Sequence, residues 1–380
     1  MPSTRFPSIR RDAFSEGVKY AGSKRRLLPR ILELAERTGA LSVLDGFSGT
    51  TRVSQAFARS GYRVVANDIA AWSRVFATCY LQGHQGGVDY GSLIDHLNNL
   101  APADGWFTEH YGGQAGEGMS TSRDGLKKPW QVHNTRKLDA IRDEIDLLTL
   151  QSVERAVALT SLMLALDRVD NTVGHHSSYL KNWAPRSYRD LLLEVPRLVD
   201  GEQEHAVCCE DILECCDQEV DLAYYDPPYG SNNEKMPPSR VRYASYYHLW
   251  TTVCLNDQPS LFGKSLRRID SRDRYSPSLF EEFRRNPETG RFLAVEQIER
   301  LLAETRAQWI ILSYSSGGRA TARDPRTVIA KHGKLVDVVQ VDYRRHVMSS
   351  MSWTGDWTSS STAPHLEYLF LIEKSGKKDT

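Results

Sequence analysis

Asp226-Pro227-Pro228-Tyr229 sets a carboxylate, a carbonyl aimed by rigid rings and an aromatic face side by side in four consecutive residues. Those groups suit one difficult nucleophile, an exocyclic amino group on a heteroaromatic ring. Its lone pair is delocalised into the ring, so an enzyme must accept hydrogen bonds from both amino protons to draw the nitrogen toward tetrahedral geometry. Asp226 can accept one and the Pro227 carbonyl the other, because Pro228 supplies no N–H and narrows the conformations open to the residue before it. Tyr229 offers a face on which a planar base stacks. An ordinary strand-ending turn is the competing use of the same residue types.

The elements that must position these groups can be read around them. Leu222-Ala-Tyr-Tyr225 suits a buried parallel strand, and the prolines force the chain out of the sheet, which places Asp226 at a strand's carboxyl end, where open α/β sheets bind ligands. Upstream, Leu41-Ser-Val-Leu44 reads as a first strand, followed by the turn Asp45-Gly46-Phe47-Ser48-Gly49-Thr50-Thr51 and a helix with Val53, Ala56 and Phe57 at helical spacing. Gly46 and Gly49 let backbone approach a ligand, and Asp45 can take a positive amino group. A nucleotide-phosphate loop fits less well, since neither the dinucleotide glycine spacing nor a Gly-Lys-Ser/Thr ending is present. A second strand, Arg63–Ala66, ends at Asp68, placed either to hydrogen-bond a ribose or to cap the next helix. A further strand over Ala206–Cys209 leads to Asp211, and one crossover separates it from the strand before Asp226.

Taken in this order, the motifs resemble those of the adenine-specific, amino-methylating DNA methyltransferases with alpha-type motif order, the Dam-like family, from Lys19 to about Ile372. The resemblance implies an α/β fold: a doubly wound, mostly parallel Rossmann-like methyltransferase sheet with an antiparallel C-terminal strand and an inserted helical target-recognition lobe. Residues 18–84 and 200–374 would form the catalytic domain and residues 85–199 the lobe. The implied cofactor is S-adenosyl-L-methionine, with Lys19, Tyr20 and Gly22 closing over its methionine end together with Asp45, Phe47 and Gly49. Asp68 and Ile69 would meet the ribose side, and Asp211 and Ile212 the adenine. Asp226, Pro227, Pro228 and Tyr229 become the catalytic set, acting on an adenine flipped out of double-stranded DNA. Thr51 departs from the pattern, standing where the family carries a second loop glycine. The expected role is restriction-modification or epigenetic marking in a bacterial or archaeal cytoplasm, with a cognate restriction endonuclease as an optional partner that the sequence does not specify.

Composition is neutral on these points. The chain has 380 residues, of which 40% are apolar and 25% charged, and its 48 basic residues balance 48 acidic ones, so any DNA-binding surface must be local. Six cysteines occur, including the pairs Cys208-Cys209 and Cys215-Cys216, without metal-type spacing, and His175-His176 likewise lack a partner motif. No metal is expected, and no run approaches membrane-spanning length. The stretch from about His84 to Trp130 loses periodicity and reads as a long loop, and residues 230–292 read as insertion rather than core. Arg123, Lys127, Lys128, Trp130, Arg136, His175, His176, Lys181 and Arg186 supply the lobe with candidate phosphate and base contacts. Arg240–Trp250 mixes cations with aromatic rings and suits either nucleic acid or a packed helix. Alternatives left open are an amino-methyltransferase acting on RNA, cytosine or protein glutamine, and a non-catalytic DNA-binding module that keeps the fold.

Overall fold

The computed structural model describes residues 14–84, 88–114, 116, 118–201, 203–229, 242–272, 278–282, 284–316, 323–342 and 366–374. Helix α1 (Leu28–Glu36) leads into β1 (Ser42–Asp45), α2 (Arg52–Arg59), β2 (Arg63–Asn67) and α3 (Ala71–Gln82). Four helices follow: α4 (Gly91–Asn99), α5 (Trp106–Tyr111), α6 (Val132–Leu147) and α7 (Ser152–Val169). The chain returns with β3 (Ala206–Cys208), α8 (Ile212–Cys215) and β4 (Leu222–Tyr225), then passes through α9 (Tyr243–Tyr246) and α10 (His248–Leu255). It closes with α11 (Leu293–Glu304), β5 (Trp309–Ser315), α12 (Arg323–His332), β6 (Gly333–Asp342) and β7 (Leu366–Lys374).

These seven strands form one sheet in the order β6-β7-β5-β4-β1-β2-β3. The pairs from β5 to β3 are all parallel, whereas β7 runs antiparallel to both β5 and β6. Every residue of β1 and β4 is buried, and successive side chains enter opposite cores because they leave opposite faces of the sheet. Val43, Val64, Tyr224 and Ile311 therefore join a core with α1, α2, α3 and α7, while Leu44, Val65, Tyr225 and Leu312 join a second core with α8, α11 and α12. Each fully buried aliphatic side chain in these layers contributes about 1.5–3 kcal/mol. The result is the expected doubly wound, Rossmann-like methyltransferase sheet with an antiparallel C-terminal strand.

Two expectations need correction. The stretch from His84 to Trp130 is not a structureless loop: it holds α4 and α5, and Phe107 and Tyr111 of α5 are fully buried. Residues 230–292 are not all insertion either, since Leu249, Trp250 and Val253 of α10 lie in the main core. In both places polar and glycine-rich flanks mask a short apolar helix face, and tertiary packing rather than length makes the helix stable. Arg240, which opens the cation-and-ring segment Arg240–Trp250, lies outside the described residues.

The inserted helices are not set apart from the sheet. Helix α7 packs on α3 within one continuous core, and Arg142 of α6 reaches the end of α10. Its guanidinium, buried to 0% exposure, donates to the Val253 and Cys254 carbonyls at 2.6 and 3.2 Å and pairs with Asp146 at 2.8 Å. A cation there satisfies carbonyls that the helix end leaves without partners. Arg142→Met keeps the stem and removes the charged donors, so it should destabilise the protein by about 2–4 kcal/mol, as expected when charge-assisted bonds to buried carbonyls are broken. Denaturant melts of the two proteins would measure it, and an unchanged midpoint would contradict the assignment.

Candidate active site

The sheet topology brings carboxylates together at one edge. Asp45 ends β1, Asp68 follows β2, Asp211 follows β3 and Asp226 follows β4, all at carboxyl ends of parallel strands. Because β7 is antiparallel, its first residues reach the same edge, and Glu367 stands opposite Ser315 at the end of β5. No sequence motif pointed to Glu367; its one signal is an acid inside the otherwise apolar run Leu366–Ile372.

Asp226 sits in a charged cluster. Lys24 Nζ lies 3.1 Å from Asp226 Oδ1 and 3.4 Å from Glu367 Oε2, and the Tyr229 hydroxyl donates to Asp226 Oδ1 at 2.6 Å. Lys24 also hydrogen-bonds the Tyr229 hydroxyl and stands 4.9 Å from the centre of its ring. Both contacts on Asp226 fall on Oδ1, and among the described residues none falls on Oδ2. Burial pushes the Asp226 carboxyl above its ordinary range; the Lys24 ammonium pulls it down and Glu367 pushes it up. Tyr229 packs edge-on against Tyr314 with ring centres 5.1 Å apart, which fixes the plane of its ring. Lys24 was missed in the sequence, although it closes the same Lys-Tyr-Ala-Gly-x-Lys segment that made Lys19, Tyr20 and Gly22 candidates.

The loop after β1 is built by crowding. A Cβ at Gly46 would lie 2.7 Å from both Ile212 and the Tyr225 ring, so only glycine fits between the loop and the second core. Gly49 adopts φ +48° and Thr51 φ +59°, both left-handed. Thr51 therefore takes the conformation that glycine adopts freely, at a cost of about 1–3 kcal/mol for a residue in that region. Hydrogen bonds offset it: the fully buried Thr51 hydroxyl donates to the Thr50 carbonyl at 2.7 Å and accepts from Gln55 at 3.1 Å. The departure from the family pattern thus leaves the turn intact. Phe47 packs edge-on against Tyr225 and Phe280.

Asp45 is 1% exposed and accepts from the Ser54 hydroxyl at 2.6 Å. Burial raises its pKa to about 7, and the nearby Asp226 and Asp68 carboxylates add to the rise. Asp68 does not cap α3 directly; it accepts from the Gly49 and Ala70 amides at 2.8 and 2.9 Å and so ties the glycine loop to the end of β2. Burial raises it as well. Asp211 is solvent-exposed and caps α8 through the Leu213 amide at 3.0 Å. Ile69, at 74% exposure, presents an apolar side chain at this edge, and Ile212 is buried beneath the loop.

The N-terminal segment is held from two sides. Lys19 donates to the Asp167 carbonyl at 2.5 Å and to Asp170 at 2.8 Å, at the end of α7. Tyr20 stacks on Tyr247 at 4.6 Å and also meets Trp72 and Tyr243. The Tyr247 hydroxyl accepts from the Ala21 amide at 2.6 Å, and Gly22 turns with φ +81° beside the Tyr243 hydroxyl. Tyr243 and Tyr247 are thus the packed-helix alternative for Arg240–Trp250, and they position the segment that carries Lys24.

The lobe candidates divide sharply. Trp130, His175 and His176 are buried, and burial lowers the two histidines to about 4 and about 3, so both are neutral at physiological pH. Lys128 is buried and donates to the His110 carbonyl and Asp124, Arg136 pairs with Asp104, and Arg186 pairs with Asp170. Arg123, Lys127 and Lys181 remain exposed on adjacent antiparallel segments bridged at Thr121–Lys127 and Met119–Asn182. All six cysteines are unpaired, and among the described residues no cluster of three or more His, Cys, Asp or Glu side chains could hold a metal ion.

Known proteins carry similar sequences. The chain is 28% identical over 357 residues to the modification methylase StsI of Streptococcus sanguinis, aligning 88% of this chain with 50% of that protein. It is 26% identical to the type II methyltransferase M.NlaIII of Neisseria lactamica, with 87% of this chain and 90% of that one covered. A third relative, the type II methyltransferase M.FokI of Planomicrobium okeanokoites, is 24% identical over 94% of this chain and 53% of its own. The chain therefore spans about half the length of the StsI and FokI proteins and most of the NlaIII protein. The sequence pattern of the D12 class N6 adenine-specific DNA methyltransferases matches residues 20–282, more than half of the chain, and the protein belongs to that family.

Proposed function

We propose that the protein transfers a methyl group from S-adenosylmethionine to the exocyclic amine of adenine at specific sites in double-stranded DNA. The observation that carries this reading is Asp226 at the carboxyl edge of the sheet, one oxygen clamped by Lys24 and Tyr229 and the other left to face a substrate. The residues around it fit the cofactor by their chemistry: a buried carboxylate, Asp45, suits an ammonium, Asp68 keeps lone pairs for ribose hydroxyls beyond its two amide bonds, and exposed Ile69 suits a ring face. When bound, the cofactor supplies a methyl group on a sulfonium, already a strong electrophile. No general base is then demanded at the moment of attack. Asp226 and the Pro227 carbonyl orient the amine and support the positive charge that grows on it, and Tyr229 supplies the stacking face. The base must leave the duplex to reach them.

DNA recognition is assigned to the lobe of residues 85–199, with Arg123, Lys127 and Lys181 as its exposed cations. The catalytic domain is then the two segments 18–84 and 200–374. The names of the relatives, modification methylases and type II methyltransferases, support a restriction-modification role beside a cognate endonuclease. Transfer of labelled methyl from the cofactor to adenine N6 in duplex DNA tests the whole reading, and labelled RNA or protein without labelled DNA would overturn it.

Asp226→Asn retains size and one carbonyl acceptor but loses the charge. Transition-state electrostatics of this kind are worth about 3–4 kcal/mol, so the single-turnover rate should fall at least about a hundredfold while cofactor and DNA affinities stay within a few-fold. A loss of activity explained by a lower melting temperature would instead return Asp226 to a strand-ending role.

Asp45 gives the cofactor site a pH dependence. Its folded pKa is raised to about 7, so the neutral carboxyl predominates below that value and cannot pair with an ammonium. Cofactor affinity should rise about tenfold per unit as pH increases toward 7 and then level off, with a proton released on binding at lower pH. The sign for stability is opposite: without cofactor, the contribution from Asp45 is complete below the unfolded carboxyl range and is lost as pH rises through about 7. Calorimetry in buffers of different ionisation heats reads both the affinity and the proton count.

Replacing Arg123, Lys127 and Lys181 together by alanine should weaken DNA binding and make its salt dependence shallower, by about one unit of log–log slope for each phosphate that is no longer neutralised. An unchanged slope would move the DNA-binding surface elsewhere.

A further inference from the structure

The clamp on Asp226 carries an electrostatic problem. Lys24 holds the carboxylate through Oδ1, yet an ammonium 3.1 Å away also cancels much of the negative charge that a developing substrate cation needs. The lysine side chain is only 5% exposed, so water does little to screen it. Glu367 answers that problem from the other side: its Oε2 lies 3.4 Å from Lys24 Nζ and 3.4 Å from the Tyr229 hydroxyl, and its own side chain is 12% exposed. Among the described residues, two carboxylates, one ammonium and one phenol thus share a single buried cluster, with a formal charge of −1 rather than zero.

We propose that Glu367 is a positioning residue for methyl transfer, which pairs with Lys24 so that the lysine can fix Asp226 and Tyr229 without neutralising the face that Asp226 turns to the substrate amine. The proposal rests on the reading that Asp226 supports an amine nucleophile. It assigns a purpose to the antiparallel strand β7, whose reversed direction is what delivers Glu367 to the edge where β4 and β5 end. A parallel strand would present its first residues at the opposite edge of the sheet. The role is electrostatic and geometric: Glu367 touches Lys24 and Tyr229, and it acts on the substrate through them.

Glu367→Gln keeps the shape and removes the charge. In single-turnover assays with adenine-containing duplex, the plateau rate should fall at least tenfold, with cofactor and DNA affinities within threefold of wild type. The acid limb of the rate profile should also move to lower pH, because Glu367 is one of the groups that raise Asp226. Asp226 is further faced by Tyr243 and Tyr224, whose hydroxyls stay neutral through this range, and by Asp45, whose rise comes first from burial and then from Asp226 and Asp68. A moved limb therefore reports on Asp226. Glu367→Asp, which restores the charge on a shorter arm, should recover at least threefold of the lost rate and return the limb toward its wild-type position. A wild-type plateau and limb in E367Q would overturn the proposal. So would a loss that scales with weaker binding or with a lower melting temperature, or an E367D protein no faster than E367Q. Should E367Q fail to fold, Glu367→Ser takes its place, since it too removes the charge: a lower plateau with the limb moved to lower pH supports the proposal, and a lower plateau with a wild-type limb, the mark of a structural role, overturns it. A wild-type protein that methylates no adenine would instead remove the functional reading itself, and the proposal with it.

Discussion

Like charges held close together in a poorly solvated place are what the rest of this structure has to accommodate. Asp45, Asp68, Asp226 and Glu367 converge on one edge of the sheet, and burial opposes the ionised form of the three aspartates. Each is stabilised differently. Asp68 takes two main-chain amides, Asp45 takes one hydroxyl, and Asp226 and Glu367 share an ammonium. The less a carboxylate is satisfied by the protein, the more of its charge remains for a ligand. That ordering separates Asp68, which is largely committed to holding its loop, from Asp45 and Asp226, which make fewer bonds to the main chain.

The same constraint explains why the N-terminal segment is anchored so heavily. Lys24 must reach Asp226 from a segment with little secondary structure of its own, a short 3-10 turn before α1. Its placement is secured by the ion pair of Lys19 with the end of α7 and by stacking on Tyr247, the residue between α9 and α10. Elements inserted between and after the sheet strands thereby set the geometry of the cluster around Asp226. Movement of α7 or α10 would be felt at Asp226 through rigid, packed contacts, which transmit displacement because protein interiors are close-packed.

Much was legible in the linear chain, and the reasons are local. The run Leu222–Tyr225 before two prolines determines a strand that must end at Asp226, since proline can neither donate to a ladder nor follow a freely rotating residue. Gly46 and Gly49 mark the turn because close approach and positive φ are properties of single residues. Strands alternating with helical periodicity made the α/β class legible, while the doubly wound sheet was what the family resemblance implied. Helices α4 and α5 were hidden because each has only a short apolar face, stabilised by neighbours distant in sequence.

What the sequence by itself determined is therefore the set of residues whose chemistry is carried in contiguous motifs: Asp45, Asp68, Asp211 and Asp226, each at the end of its own strand. What only the tertiary structure decided is their electrostatic company. Lys24 and Glu367 are separated by 343 residues and meet 3.4 Å apart. Lys128, Arg136 and Arg186 look like phosphate ligands in the sequence, but they are already committed to partners brought near by folding. A side chain's charge is written in its type, but whether that charge is neutralised, buried or offered to a ligand depends on distance and solvent. Those are set by the packing of segments far apart along the chain.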